Sequence, residues 1–329
     1  MIVAGDVSGI GVCVSNSSEA GSAGRAIDVD DISKEYAGQR ALDGVSFTVD
    51  AGEIFGIVGP NGAGKTTLVE SIGGLREPDH GSITVLGLDP ISDRSELTQR
   101  VGIQLQESTL QKRARVGEIL QTFSTFYEKP VDWKELASRF GLSDKLEASY
   151  ASLSGGMKQR LSIALALIGS PQLVILDELT TGLDPQARRS TWDGVEKIRD
   201  TGVTVILVTH FMDEVERLCD RVMVLDRGLI AAIDTPQGLS RHAGSQQVMT
   251  FRPSEAISVE ELLSLPGVDG AESHGGKVEI SGGGNMVLNV LTTLDAAGVT
   301  PDRLRVDHAS LEDAYLALTG ESSRSADGE

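Results

Sequence analysis

Residues 59–66, GPNGAGKT, space three glycines, a lysine and a threonine in a way that could hold a phosphate chain. Gly59, Gly62 and Gly64 let successive backbone N–H groups turn toward one anion, and the Lys65 ammonium can reach the outer phosphates. The Thr66 hydroxyl is a hard ligand suited to Mg²⁺, and Thr67 adds a further donor. Pro60, Asn61 and Ala63 complete the loop. A glycine-rich turn with no ligand is the plainer alternative. The apolar EIFGIVG before the loop and the helical TTLVESIGGL after it favour the phosphate reading, because the mechanism needs a strand-to-helix junction.

Two other stretches could work with that loop. LVILDE, residues 173–178, is an apolar run ending in two carboxylates. Acids at the end of a buried strand are costly unless they have a task. Asp177 can hold Mg²⁺ through water and Glu178 can orient or deprotonate an attacking water, although a capping Asp–Glu pair ahead of the next helix would look similar. LSGGMKQR, residues 153–160, is a second glycine turn opening a helix. Ser154 can cap that helix while Gly155 and Gly156 expose amides at its positive end. A second phosphate cradle in one chain looks redundant, and an ordinary capped helix is the alternative.

The elements that must position these groups alternate. IDVDDISKEY and ALDGVSFTVD have the period-two pattern of half-buried strands, and GSITVLG reads as a hairpin piece. Residues 93–101 and 117–149 read mainly as helices. RLSIALALIG predicts a helix, LVILDE a strand, QARRSTWDGVEKIRDTG a helix, VTVILVTH a strand, MDEVERLCD a helix and RVMVLDRG a strand. Strands alternating with helices predict an α/β fold with a mostly parallel sheet covered on both faces. A composition shift at HAGSQQ, 242–247, predicts a boundary. Beyond it strands and helices mix in a small α+β appendage ending in SLEDAYLALTG. The expected organisation is a leader over 1–24 rich in Gly, Ser and Ala, a main domain over 25–241, an appendage over 245–320 and a tail over 321–329.

Composition narrows the function classes. The chain has 329 residues, 40% of them hydrophobic but only 4% aromatic, so its core should be aliphatic. With 48 acidic against 29 basic residues the formal net charge is −19, and no Lys/Arg cluster offsets it, so nucleic acid is a poor partner. No apolar run reaches the roughly 18–20 residues needed to cross a bilayer. The nearest, LSIALALIGSPQLVIL, is broken by Gly169, Ser170, Pro171 and Gln172. Residues 1–24 carry no Lys or Arg, so the charged start of a signal peptide is missing and a cytoplasmic location is expected. Cys13 and Cys219 lack metal-type spacing and read as free thiols.

Together the three motifs, in this order, resemble the ATP-binding-cassette (ABC) family: a phosphate loop GPNGAGKTT, a signature LSGGMKQR and a strand with its catalytic acid LVILDE. The resemblance covers about residues 26–240 and implies a P-loop NTPase with a RecA-like core sheet, an antiparallel β subdomain and a helical subdomain. It implies further roles. Tyr36 would stack on adenine, and Gln106 in VGIQLQE would be the Q-loop residue that reaches Mg²⁺ and the attacking water, with Gln104 a close competitor. Asp184 in GLDP would be the D-loop acid, and His210 the switch histidine. One departure is Leu179, where the family has Pro after the catalytic acid. Proline would restrict Glu178, so a looser turn is expected here.

In head-to-tail dimers of that family each ATP lies between the phosphate loop of one cassette and the signature of the other. The resemblance thus gives Ser154, Gly155 and Gly156 a role in trans and makes a second copy of the chain a partner. One cassette followed by an appendage ending in SLEDAYLALTG is similar to the daunorubicin-resistance type of bacterial exporter ATPase, whose permease is a separate membrane-spanning chain. The implied function is ATP hydrolysis, with ATP and Mg²⁺ as cofactors, at the cytoplasmic face of the plasma membrane, driving multidrug or antibiotic export. The alternative is a soluble cassette protein acting on ribosomes or DNA. Such proteins carry two cassettes in one chain or long inserted coiled coils, and neither is found in this sequence. A phosphate-loop GTPase lacks support because no N-K-x-D sequence occurs.

Overall fold

The computed structural model describes residues 24–104, 110–242, 247–255, 257–308 and 310–319. It divides into two compact units, one running to Ile233 and one starting at Asp234. The division falls before the composition shift at 242–247, because the helix Pro236–His242 packs against a helix of the second unit.

In the first unit β1 (Arg25–Tyr36), β2 (Gln39–Asp50) and β4 (His80–Val85) form an antiparallel sheet in the order β2-β1-β4. The second sheet has the order β5-β6-β7-β3-β8-β9, from β3 (Ile54–Val58), β5 (Val101–Gln104), β6 (Leu173–Asp177), β7 (Thr204–Val208), β8 (Arg221–Asp226) and β9 (Leu229–Asp234). Pairing from β5 through β8 is parallel throughout. Every residue of β3, β6 and β7 is buried, as a parallel strand covered on both faces requires. The period-two face of β2, with Leu42, Val45, Phe47 and Val49 buried, joins the same apolar cluster as Phe55 and Ile57 of β3. Phe47 stacks on Phe55 at 5.5 Å, fastening one sheet to the other.

Helices α1 (Lys65–Ile72), α2 (Arg94–Leu97), α3 (Val116–Ser124), α4 (Trp133–Arg139), α5 (Gly155–Leu167), α6 (Pro185–Arg199) and α7 (Met212–Leu218) complete the unit. Around α3, α4 and α5 a separate core forms from Val116, Leu120, Leu136, Leu142, Leu161 and Ile168. The architecture is that of a P-loop NTPase: a parallel core sheet, an antiparallel sheet and a helical region.

Two local readings differ from the sequence. Residues 93–101 hold only the short α2, and Val101–Gln104 is a strand, because these residues pair with β6. The stretch 117–149, expected to be mainly helical, holds α3, α4 and a 3₁₀ turn at Ser143–Lys145. LIAAID, read as no element, is the edge strand β9.

The second unit contains α8 (Pro236–His242), β10 (Gln247–Pro253), α9 (Val259–Leu263), β11 (Val268–His274), β12 (Lys277–Gly282), α10 (Met286–Ala296), β13 (Pro301–His308) and α11 (Leu311–Thr319). Its antiparallel sheet has the order β11-β12-β10-β13. Met249, Phe251 and Ile280 of the sheet pack with Met286, Val290 and Leu294 of α10, which gives this α+β unit a core of its own.

Candidate functional site

The strand order brings the C-terminal ends of β6, β7 and β3 side by side, and loops leaving neighbouring parallel strands at that edge are where an open α/β sheet holds ligands. β3 leads into loop 59–64 and α1, β6 ends on Asp177, and β7 is followed by Thr209 and His210.

The loop is backbone pressed against backbone. A Cβ on Gly59 would lie 2.1 Å from the Leu225 carbonyl oxygen. Gly64 has φ 106°, and a Cβ there would lie 2.3 Å from the Ala41 carbonyl oxygen. Gly64 is also the N-cap of α1, and no side chain caps that helix. Its first amides are therefore left to an anion, as a phosphate cradle requires.

A cavity of about 350 Å³ opens here, lined by Asn61, Gly62, Ala63, Gly64, Lys65, Thr66 and Thr67 together with Tyr36, Gln39, Arg40, Ala41, Asp177 and Glu178. Lys65 Nζ donates to the carbonyls of Gly59 at 2.7 Å and Pro60 at 3.0 Å. Burial lowers the Lys65 pKa, against the pull of Glu178 and Asp177. Asp177 is pushed up from 3.8 to about 6, first by burial and then by the Glu178 charge, with Lys65 opposing. Two carboxylates and one ammonium facing a polar cavity fit an additional cation. Among the described residues no group of three or more His, Cys, Asp or Glu could hold a metal ion alone. A Mg²⁺ ion here would take the rest of its shell from phosphate oxygens and water, as is usual for that ion.

Glu178 adopts a left-handed backbone, φ 49°, and its N–H donates to the Val208 carbonyl at 2.9 Å. A non-glycine residue in this region is strained, which is common where a side chain is aimed for a task. Glu178 Oε1 lies 3.5 Å from His210 Nδ1, and the Thr181 hydroxyl lies 3.5 Å from Oε2. Leu179 is fully buried. Contrary to expectation, the turn that lacks proline is thus held by packing, and the residue before it takes a conformation that a following proline disfavours.

Tyr36 is partly exposed at the cavity, with the Arg76 guanidinium 5.2 Å from its ring centre. Ser154 Oγ accepts from Met157 N at 3.3 Å as the N-cap of α5, and Asp184 Oδ1 caps α6 by accepting from Gln186 N and Ala187 N. Ser154, Gly155, Gly156 and Asp184 do not line the cavity. Gln106 lies outside the described residues. Its competitor Gln104 is buried, and its Oε1 accepts from Asp177 N at 3.2 Å, tying β5 to the acidic end of β6. Sequence reasoning missed Gln39, Arg40 and Ala41, which reach the cavity because β1 and β2 form a hairpin; no motif marks them. A larger cavity of about 720 Å³, lined by residues such as Phe140, Arg160, Ile163 and Gly194, contains none of these groups.

Facing carboxylate, imidazole and ammonium beside a phosphate cradle can position and deprotonate a water next to a terminal phosphate. Comparison with known proteins agrees. The profile of a family described as "ABC transporter" matches residues 42–181. The Nod factor export ATP-binding protein I of Mesorhizobium japonicum is 38% identical over 314 residues, covering 90% of this chain and 87% of that protein. Its counterpart in a Rhizobium species is 38% identical over 316 residues, covering 90% and 97%. A solved ATP-binding subunit of an ABC transporter, 30% identical, superposes with a TM-score of 0.60 over 66% of this chain and 92% of that one. A nucleotide-free ATP-binding cassette from an ABC transporter, 25% identical, gives 0.58 over 64% and 91%.

Proposed function

The chain belongs to the ABC transporter family as an ATP-binding subunit that couples ATP hydrolysis to transport, and from that premise we propose that it drives export through a separate membrane-spanning permease. The observation that carries the reading is the convergence of the phosphate loop, Asp177 and Glu178 on one cavity, with His210 3.5 Å from Glu178.

In this reading Lys65 Nζ leaves the Gly59 and Pro60 carbonyls for the phosphates, and the loop amides from Gly59 to Thr67 cradle them. The Tyr36 ring stacks on adenine. Thr66, Asp177 and Gln106 are the residues that would hold Mg²⁺, which would offset charge on the outer phosphates. Glu178 accepts a proton from the attacking water, and His210 holds Glu178 and the terminal phosphate in register. Ser154, Gly155, Gly156 and Asp184 act on the ATP of a second copy of the chain, which makes the working unit a dimer around two nucleotides.

Residues 25–241 hold the ATP-binding domain, and 245–320 are an accessory packing module. The subunit sits at the cytoplasmic membrane face through its permease. Among the described residues no helix is long and apolar enough to cross a membrane. Relatives named for Nod factor export support the outward direction. We extend the reading to cargo of drug or antibiotic type, chosen by the permease.

Glu178→Gln tests the site. It should reduce ATP turnover by a hundredfold or more, as loss of a catalytic base does, while light scattering finds an ATP-bound dimer. Turnover near the wild-type rate, or a protein that stays monomeric with ATP, refutes it.

A further inference from the structure

Helices α6 and α7 start from two of the segments assigned to the chemistry. α6 opens at Asp184, which caps it, and α7 opens directly after His210 and Phe211. Further along the helices, Trp192 Nε1 donates to the buried Glu214 at 2.9 Å, and Arg217 donates to Asp193 at 2.6 Å and to Glu196 at 3.0 Å. These bonds join α6 to α7 whatever happens nearer the cavity.

Nearer the cavity the connection is Arg188. Its N–H donates to the Asp184 carbonyl at 2.9 Å, in the first turn of α6. Its guanidinium lies over the Phe211 ring, 4.4 Å from the ring centre, and Nη1 is 3.5 Å from Asp213 Oδ2. The side chain is only 26% exposed, and its Nε is buried with no hydrogen-bond partner. The guanidinium is therefore held by the ring face and the Asp213 charge. A planar cation on an aromatic face, partly withdrawn from water, is a strong contact of its kind.

Phe211 carries that contact to the site. Its N–H donates to the Thr209 hydroxyl at 3.1 Å, and its ring centre lies 4.1 Å from that of His210. His210 Nδ1 is 3.5 Å from Glu178 Oε1, yet the imidazole is 47% exposed. A half-exposed ring in a reacting site owes its placement to the packed groups beside it.

We propose that Arg188 is a positioning residue for ATP hydrolysis: by clamping Phe211 it sets where the His210 imidazole stands relative to Glu178, and it ties that placement to the turn capped by Asp184. The inference rests on reading His210 as the residue that keeps Glu178 and the terminal phosphate in register. A purely structural Arg188 would only add one more joint between α6 and α7.

Arg188→Met, Phe211→Leu and the double variant, in the full chain with Mg²⁺-ATP, separate the two. Methionine keeps an apolar stem over the ring and removes the charge. Because the Trp192 and Arg217 bonds remain, Tm should stay within about 3 °C of wild type. Each single variant should lower kcat about tenfold with KM for ATP within about twofold, and the double variant should be no worse than the poorer single. Of the imidazole NMR signals of the five histidines, the one that disappears in His210→Ala should move in Arg188→Met. A kcat within twofold of wild type in Arg188→Met, losses that multiply in the double variant, or an unmoved His210 signal overturns the inference. Should Arg188→Met fail to fold, Phe211→Leu is read alone, and a kcat within twofold of wild type is again decisive against it. His210→Ala turnover is measured alongside. If it keeps the wild-type rate, the reading of His210 falls and the inference with it; if it is inactive while Arg188→Met keeps kcat, only the inference falls.

Discussion

Asp177→Asn should make the nucleotide- and metal-free protein more stable while abolishing hydrolysis. Asp177 is 6% exposed, and its pKa is raised from 3.8 to about 6 by burial and by the Glu178 charge. A raised carboxylate pKa means that the folded state holds its proton more tightly than the unfolded state does, so ionisation weakens the fold. The penalty is absent below about pH 4 and complete above the folded pKa. A shift of this size corresponds to about 3 kcal/mol at pH 8 and about half that at pH 5. Asparagine removes the charge but leaves Lys65 with one carboxylate partner fewer, so the net gain at pH 8 should be about 1–3 kcal/mol. Its backbone N–H still donates to Gln104. Urea unfolding of both proteins at pH 8 and pH 5, without nucleotide and in chelator, measures the gap, which should shrink by about 1 kcal/mol at the lower pH. A variant less stable than wild type at pH 8, or a gap that widens toward pH 5, refutes the electrostatic account of Asp177. Parallel ATPase assays should show no turnover, because a carboxylate whose ionisation weakens the fold is one the reaction uses.

Two further outcomes are expected. Ser154→Arg leaves the 350 Å³ cavity untouched, so fluorescent-nucleotide binding should remain within about threefold of wild type while hydrolysis falls at least a hundredfold for want of a closed dimer; turnover that survives removes the trans role of the signature. Gly64→Ala puts a methyl where only 2.3 Å separates it from the Ala41 carbonyl oxygen at φ 106°, so the variant should lose at least about 1–2 kcal/mol of stability and bind nucleotide at least tenfold more weakly; unchanged melting and affinity would mean the loop is not held as described.

The chemistry was more legible in the sequence than the geometry. GPNGAGKT and LVILDE announce their elements because residue type, strand and helix context coincide, and the fully buried β3, β6 and β7 read as apolar runs for the same reason. Periodicity says nothing of which strands are neighbours. The adjacency of β6, β7 and β3, which brings His210 to Glu178, comes from the crossover order. The strand Val101–Gln104 escapes a sequence reading, which puts Val101 at the end of a helix over 93–101, because four residues are too few to show a period of two. Glu178 at φ 49° and its buried neighbour Leu179 were equally invisible. A missing proline suggests freedom in a sequence, while packing removes that freedom in the fold. MDEVERLCD predicts a helix without saying which face is covered, and the burial of Glu214 with its bond from Trp192 Nε1 shows that this charge points inward.

The segment from Glu178 to Ala187 joins these observations. It begins at the carboxylate on the cavity, passes Thr180, and ends in the first turn of α6, where Asp184 caps the helix. The start of α5 lies against it: a Cβ on Gly156 would come within 3.2 Å of Ala187 Cβ, and one on Gly155 within 3.9 Å of the Leu183 side chain. The helix that the signature turn opens thus packs beside α6, and packed interiors shift as discrete units. If the signature turn serves the ATP of the second copy, a displacement there is carried along this segment to the Glu178 of its own chain. The two ATP sites are then linked by packing inside each protomer as well as by contacts across the dimer.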